Sequence, residues 1–514
     1  MRMRWSLPPC LALAAVLLAS CAGLPSLAGR KATTAFTDTA GTPLGLAVAP
    51  LMAAHPGLSG VYALADGRDA FAARAVLANA AKRSLDLQYY IWHNDITGDL
   101  LFDALSAAAD RGVRVRLLLD DNNTSGLDAT LALLDAHPNI EVRLFNPFTM
   151  RRARLLGYLA DFARLNRRMH NKSFTIDGQA TIIGGRNIGD EYFGAAGEVL
   201  FADLDVLAIG PVVQSVSDDF DRYWNSESAY PVDLMVPALD ADSSAQVRRE
   251  AAAIVQAPAA QAYQVAMRES TFVAELVARH LPIEWAATTL VSDDPAKALD
   301  RAAPASRVGP QLKQLIGEPA RELNLVSPYF VPGESGTEAF SSLARRGVAV
   351  RVLTNSLEAT DVAAVHAGYA KWREPLLEAG VKLYELRRAR PLEEGQRRGG
   401  PLGSSASSLH AKTFAVDGER VFIGSFNFDP RSARLNTEMG FVIDSPAMAR
   451  HLGAMLDGGL ADRAYEVRLN PDGSLYWIER KQGSAIRYDA EPGTSFWRRL
   501  SVRVLSWLPI DWLL

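Results

Sequence analysis

Apolar and polar positions along this chain fall into blocks of helical period followed by short apolar runs, and the blocks occur twice. AVLANAAKRSLDLQYYIW reads as a helix that gives way to a buried strand over Leu85–Ile91. LLFDALSAAADRGVRVRLLLDD predicts a helix, a break at Gly112 and a strand ending at Asp120 and Asp121. The later part of the chain answers with LNLVSPYFVP and AFSSLARRGVAVRVLTN. DRGVRVRLLLD at Asp110 and RRGVAVRVLTN at Arg345 lie 235 residues apart, which marks a duplicated unit. Helix–glycine–strand alternation with apolar strands predicts an α/β fold: two similar α/β/α sandwich halves with mostly parallel sheets, related by a pseudo-twofold axis and sharing one active site. The halves are expected over 46–240 and 241–490, with a crossover near Pro231 to Glu250.

The duplication is sharpest where polar residues interrupt the apolar pattern. HNKSFTIDGQATIIGGRNIGD begins at His170 and HAKTFAVDGERVFIGSFNFD at His410, 240 residues later. Both read H-x-K, four residues, Asp, six residues, Gly, two residues, Asn. In an extended strand His170 and Lys172 project from one face, and a glycine turn returns Asn187 towards them. His410, Lys412 and Asn427 follow the same geometry. Lysine ammonium and asparagine amide groups suit the non-bridging oxygens of a phosphodiester. One imidazole attacks phosphorus while the other protonates the leaving oxygen. That division of labour needs two histidines, hence two copies.

Composition narrows the reading further. The 514 residues carry a net charge of -4, against the basic excess of a general nucleic-acid binder. Cys10 and Cys21 are the only cysteines, so thiol catalysis and cysteine–zinc sites are excluded. No H-E-x-x-H or clustered ligand spacing occurs, and no metal or other cofactor is expected. Arg2 and Arg4 precede a short apolar core that ends in LASC, a secretory signal over 1–20. Residues 21–45 read as a tether.

The paired motifs resemble the HKD motifs of the phospholipase D superfamily. LQYYIWHNDITG, GGRNIGDEYF, SPYFVPG, LHAKTF, GSFNFDPRS and LNTEMG extend that resemblance over nearly the whole mature chain, most closely to bacterial cardiolipin synthases of the C type. The resemblance implies a phosphatidyl-histidine intermediate formed without metal. His170 matches the nucleophile and His410 the partner acid and base. Lys172, Lys412, Asn187 and Asn427 match the phosphate binders. Asp177 and Asp417 fall on the opposite strand face and read as structural. Asp203 and Glu438, each opening a following strand, match carboxylates that hold a histidine tautomer; Glu198 and Asp205 compete for the first-half role. One departure is Gly184–Gly185 where Gly424–Ser425 keeps the Gly-Ser of the pattern. The implied substrates are phospholipids, phosphatidylglycerol and also phosphatidylethanolamine, with no nucleic acid; water in place of an alcohol would give phosphatidate instead. LASC resembles a lipobox, making Cys21 the lipidation site of a periplasm-facing membrane lipoprotein, with Ala22 favouring the outer membrane.

Three further features complete the expectations. His366, in VHAGYAKW, and His93 are candidates for an acceptor pocket. Arg151 to His170 interleaves arginines with Leu155, Leu156, Leu159, Phe162 and Leu165 at helical spacing, which suits either a lipid-facing lip or an ordinary core-packed helix. The closing segment 491–514, with Trp497, Trp507 and Trp512, suits a membrane interface, and Glu393–Ser408 a mobile loop.

Overall fold

Gly112 (φ 88°) and Gly347 (φ 91°) take the left-handed conformation that ends a helix without a Cβ penalty. They terminate the helices Ile96–Asp110 and Gly333–Arg345 at equivalent points of the repeat. The structure is a computed structural model that describes residues 23–195, 201–278, 280–388, 408–459, 463–481 and 483–507.

The N-terminal strands are β1 (Ser59–Leu64), β2 (Ser84–Ile91), β3 (Arg114–Asn123), β4 (Ile140–Phe145), β5 (Ser173–Ile176), β6 (Ala180–Gly184), β7 (Phe201–Ala202), β8 (Asp205–Ile209), β9 (Ala229–Pro231) and β10 (Glu284–Ala286). The C-terminal strands are β11 (Thr288–Ser292), β12 (Glu322–Val326), β13 (Ala349–Asn355), β14 (Lys382–Leu386), β15 (Ser408–Leu409), β16 (Lys412–Val416), β17 (Arg420–Gly424), β18 (Met439–Ile443), β19 (Ala464–Leu469), β20 (Leu475–Lys481) and β21 (Ser484–Tyr488). The first sheet runs β10-β1-β8-β6-β5-β2-β3-β4-β9 and the second β11-β18-β17-β16-β12-β13-β14-β19-β20-β21. Their central orders superpose strand for strand, so the expected pair of α/β halves is present.

The sheets are mixed, however, where mostly parallel ones were expected. Within the two large sheets, among the described residues, only β2–β3–β4 and β12–β13–β14 pair in parallel, and the separate β15–β7 pair is also parallel. The motif strands fold straight back on themselves, β5 onto β6 and β16 onto β17. Asp177 (φ 51°) and Gly178 (φ 59°) make that turn in one half, Asp417 (φ 55°) and Gly418 (φ 64°) in the other. Two left-handed residues in succession form a tight hairpin turn, and a hairpin can only be antiparallel.

The boundary between the halves also moves. Helices Ala241–Val255, Pro258–Arg268 and Thr271–Val277 pack on the N-terminal half, and β10 pairs with β1. The chain changes sheets at Ala287, between β10 and β11, not near residue 240. At the start of the described chain, Arg30 donates to the carbonyls of Ser226, Ala229 and Asn225 at 2.6–2.7 Å. Phe36 lies under the Arg114 guanidinium, 3.8 Å away. The segment expected as tether is therefore part of the folded body from Arg30 onwards. Cys21, the signal segment, Glu198, most of Glu393–Ser408 and Trp512 lie outside the described residues.

The halves meet through an apolar seam. Ile183, Val206, Val212 and Val216 pack with Val421, Ile423, Met439 and Phe441. Among the described residues no helix is long and apolar enough to cross a membrane.

Candidate active site

The seam places the two H-x-K segments against each other's half. The chain around Met169 bridges Thr437 in parallel. His170 N donates to Thr437 O at 2.9 Å, and Thr437 N to Arg168 O at 2.9 Å. In the other direction β15 pairs with β7, and His410 N donates to Ala202 O at 2.8 Å. Each histidine backbone is thus stitched to the residue immediately before an acidic residue of the opposite half. The side chains complete the exchange: His170 Nδ1 lies 2.8 Å from Glu438 Oε2, and His410 Nδ1 lies 2.5 Å from Asp203 Oδ2. With Nδ1 engaged, Nε2 is left as the nitrogen free to react.

The lysines and asparagines of both motifs gather around this pair. Lys172 Nζ donates to His170 O at 2.6 Å. Lys412 Nζ lies 2.9 Å from His410 Nδ1 and also donates to the His410 carbonyl. Asn187 accepts from Ile91 N at 3.1 Å and donates to the Tyr192 hydroxyl at 3.0 Å. Asn427 is buried, and its Oδ1 accepts no hydrogen bond among the described residues. Sequence reasoning assigned no role to the aromatic walls. Tyr90 stands edge-on to His170 at 4.9 Å, while Tyr192 and Phe201 flank His410 at 5.2 and 5.3 Å. The signal for Tyr90 was its place at the end of a strand that runs beside the motif strand.

Burial and neighbouring charge set the protonation. Burial, then Lys172 and Lys412, push the His170 imidazole well below its ordinary range, and burial with Lys412 lowers His410. Burial also lowers both lysines, Lys412 to about 8. The two carboxyls are driven apart. Burial raises Glu438 to about 7 against the pull of Lys172. Burial acts on Asp203 in the same sense, but His410 and Lys412 outweigh it and hold that carboxyl below the usual range.

The remaining sequence candidates among the described residues make their contacts away from this centre. The Asp177 carboxylate accepts from the backbone N–H groups of Lys82, Arg83 and Ser84, and Asp417 from those of Ala320, Arg321 and Glu322. Both tie the motif hairpin to the start of the adjacent strand, far from the histidine rings. Asp205 is paired with Arg74 at 2.9 Å, away from His410. His366 does not join the paired histidines. Its buried ring bonds Glu491 at 3.0 Å and Arg373 at 2.7 Å, which ties the C-terminal segment to the body. His93 is half-exposed and sits 3.2 Å from Glu191. With Asp95 these form the one group among the described residues whose atoms could jointly hold a cation, and it lies outside the histidine–lysine centre.

The Gly-Gly departure has a steric reason. The Ser425 hydroxyl donates to Glu438 at 2.5 Å, so it serves the carboxyl rather than an open phosphate site. At the equivalent Gly185, an added Cβ would stand 2.0 Å from Asp203 Oδ1. The shorter aspartate fills the space that a serine side chain takes in the other half.

The family described as cardiolipin synthase, PLD-like domain, matches residues 75–224 and 312–458. Cardiolipin synthase C of Escherichia coli (strain K12) is 51% identical over 92% of this chain and 99% of its own. An uncharacterized protein of Helicobacter pylori (strain 26695) is 32% identical over 89% of this chain and 90% of its own. The crystal structure of phosphatidylserine synthase from Haemophilus influenzae Rd KW20 shares the fold, with a TM-score of 0.54 at 14% identity, covering 80% of this chain and 89% of that one.

Proposed function

Because the chain belongs to the phospholipase-D-like family of cardiolipin synthases, we propose that it is a phosphatidyltransferase that joins two phospholipids into cardiolipin through a phosphohistidine intermediate. The observation that carries the chemical reading is the crossed pair of histidine–carboxylate contacts at the seam.

In this reading neutral His170 attacks the phosphorus of a donor phospholipid through Nε2. His410 gives its proton to the departing headgroup oxygen, and the phosphatidyl group remains on His170. The hydroxyl of phosphatidylglycerol then enters. His410 takes its proton, the oxygen bonds to phosphorus, and the His170 N–P bond breaks. Ionised Asp203 stabilises the imidazolium form that His410 needs as an acid. Lys172, Lys412, Asn187 and Asn427 offset the charge on the non-bridging oxygens. Phosphatidylglycerol is the first donor to test and phosphatidylethanolamine the second. Membrane residence through a lipid on Cys21, facing the periplasm, belongs to the same proposal.

Donor and acceptor lipids carrying different isotopes, supplied in micelles, test it directly. Mass spectrometry should find cardiolipin bearing both labels and the released headgroup. Phosphatidate as the sole product would leave a hydrolase. A narrower result follows from the Gly185 geometry. Gly185→Ser should lower cardiolipin formation by about 100-fold, because displacing a positioning group by ~1 Å has effects of that size. Ser425→Gly removes one hydrogen bond and should be milder. Equal, small effects of the two changes would show that the crowding at Asp203 is relieved elsewhere.

A further inference from the structure

The segment between β4 and β5 reverses the usual amphipathic arrangement. It holds two short helices, Arg154–Ala160 and Phe162–Leu165. Its polar side chains grip the body. Arg151 lies 2.6 Å from the Asp121 carboxylate, Arg154 donates to Asp121 O at 2.6 Å, Arg164 donates to Asn146 Oδ1 at 2.6 Å, and the Tyr158 hydroxyl bonds Asn122. Leu155 and Leu159 are 75% and 76% exposed, with Leu156 and Phe162 also in solvent. A surface helix ordinarily turns its apolar stripe to the core. Here Arg151, Arg154 and Arg164 are turned to the body while Leu155, Leu156 and Leu159 face outward; Leu165 is the buried leucine of the segment and Arg152 its exposed arginine. The segment stands beside one histidine: Asn122 donates to the Tyr90 hydroxyl at 3.4 Å, and the Tyr90 ring lies against His170.

A second apolar patch stands on the side of the other histidine. Helix Phe496–Ser506 buries Val502 against Leu357 and Ala367. It exposes Phe496, Leu500 and Val504, together with Trp497 (74%) and the adjoining Trp507 (75%). Arg498 donates to Thr360 O at 3.4 Å in the stretch that follows β13, and Asn355 at the end of β13 donates to the carbonyl of Leu409, next to His410, at 3.0 Å. Arg152 and Arg503, one on each patch, are exposed and form no ion pair among the described residues.

We infer that these two patches are the face the protein lays on an anionic phospholipid bilayer, one patch entering the interface beside each histidine. Two observations favour a bilayer over a second copy of the chain. Arginines flank both patches, so two such faces would repel each other, whereas anionic headgroups complement them. Tryptophan and leucine beside arginine is the composition of an interfacial segment. The choice of occupant rests in part on the phospholipid-transfer reading, so the first test involves no turnover.

The test uses the full chain with both native cysteines replaced by serine. A single cysteine at Leu159 carries an environment-sensitive dye, and a parallel protein carries it at Val277, an equally exposed apolar position on the outer helix layer. With vesicles of phosphatidylglycerol and phosphatidylethanolamine, emission at 159 should shift to the blue and be quenched by brominated acyl chains, while emission at 277 stays unchanged. No shift at 159, or the same shift at both positions, overturns the proposal. So does a blue shift at 159 without vesicles that rises with protein concentration, the mark of a second copy. In a second arm, Leu155→Glu with Leu159→Glu should lower turnover on vesicles by about tenfold and change it by less than about twofold on detergent-dispersed lipid. Equal turnover loss on both overturns the proposal. The dye response at 159 in a protein that makes no cardiolipin would support the surface and remove only the functional reading.

Discussion

His170→Ala and His410→Ala each lower cardiolipin formation by about 10³-fold or more, and the double variant is little worse than either alone. Both effects follow from one centre assembled at the seam. His170 is buried and His410 partly buried, and each is held at Nδ1 by a carboxyl of the opposite half. The two single variants nevertheless differ in what they accumulate. In His410→Ala the nucleophile remains and a donor with a good leaving group needs no acid, so protein quenched in alkaline denaturant, where an N–P bond survives, should carry the phosphatidyl group on the peptide containing His170. In His170→Ala no phosphopeptide should form. Label confined to the His410 peptide would exchange the two roles, and near-normal turnover in either single variant would remove the two-histidine mechanism.

The second large effect concerns the carboxyls. Asp203→Asn should lower activity by about 10²- to 10⁴-fold at every pH, as in other sites where an orienting carboxylate is neutralised. The reason is that His410 and Lys412 keep Asp203 ionised throughout the working range. Glu438 behaves differently, because burial has raised it to about 7. It is protonated below that pH and ionised above it, and only the ionised form stabilises the cationic ring created when His170 bonds to phosphorus. Activity should therefore rise through about pH 7 as Glu438 loses its proton. It should fall above about pH 8 as Lys412 loses its charge. Glu438→Gln should remove the rising limb, leave the falling limb in place, and lower the maximum. A rising limb that persists in Glu438→Gln would assign it to another group.

The pairing of the two motifs was legible in the sequence because a duplicated pattern is a strong signal that needs no contact information. The same holds for the structural reading of Asp177 and Asp417, which strand alternation separates from the histidines. What could not be read was which carboxyl serves which histidine. Asp203 and Glu438 each precede a strand of their own half, and only packing of the halves reveals that each reaches across. The sheet direction was misjudged for a local reason. Asp177–Gly178 and Asp417–Gly418 are hairpin turns in plain view, and they outweigh the parallel preference suggested by helix–strand alternation. His366 resembled a site residue by type alone. Its burial with Arg373 and Glu491 depends on a segment more than a hundred residues away. Residues 30–42 were too polar and small to predict as ordered, yet their order comes from the backbone carbonyls of residues 225–229 that Arg30 engages.

The crossing of the carboxyls also bears on ancestry. When each half supplies the acid for the other's base, a lone half has no working centre, but two identical copies related by a twofold axis would have a complete one. The duplicated chain has the architecture of such a symmetric dimer joined covalently. In identical copies, any change would enter both sides of the centre at once. After fusion they could be altered one at a time, and the chain records the result: an aspartate against glycine on one side, a glutamate against serine on the other. In the proposed mechanism, that loss of identity between the halves lets one histidine specialise for attack and the other for proton transfer.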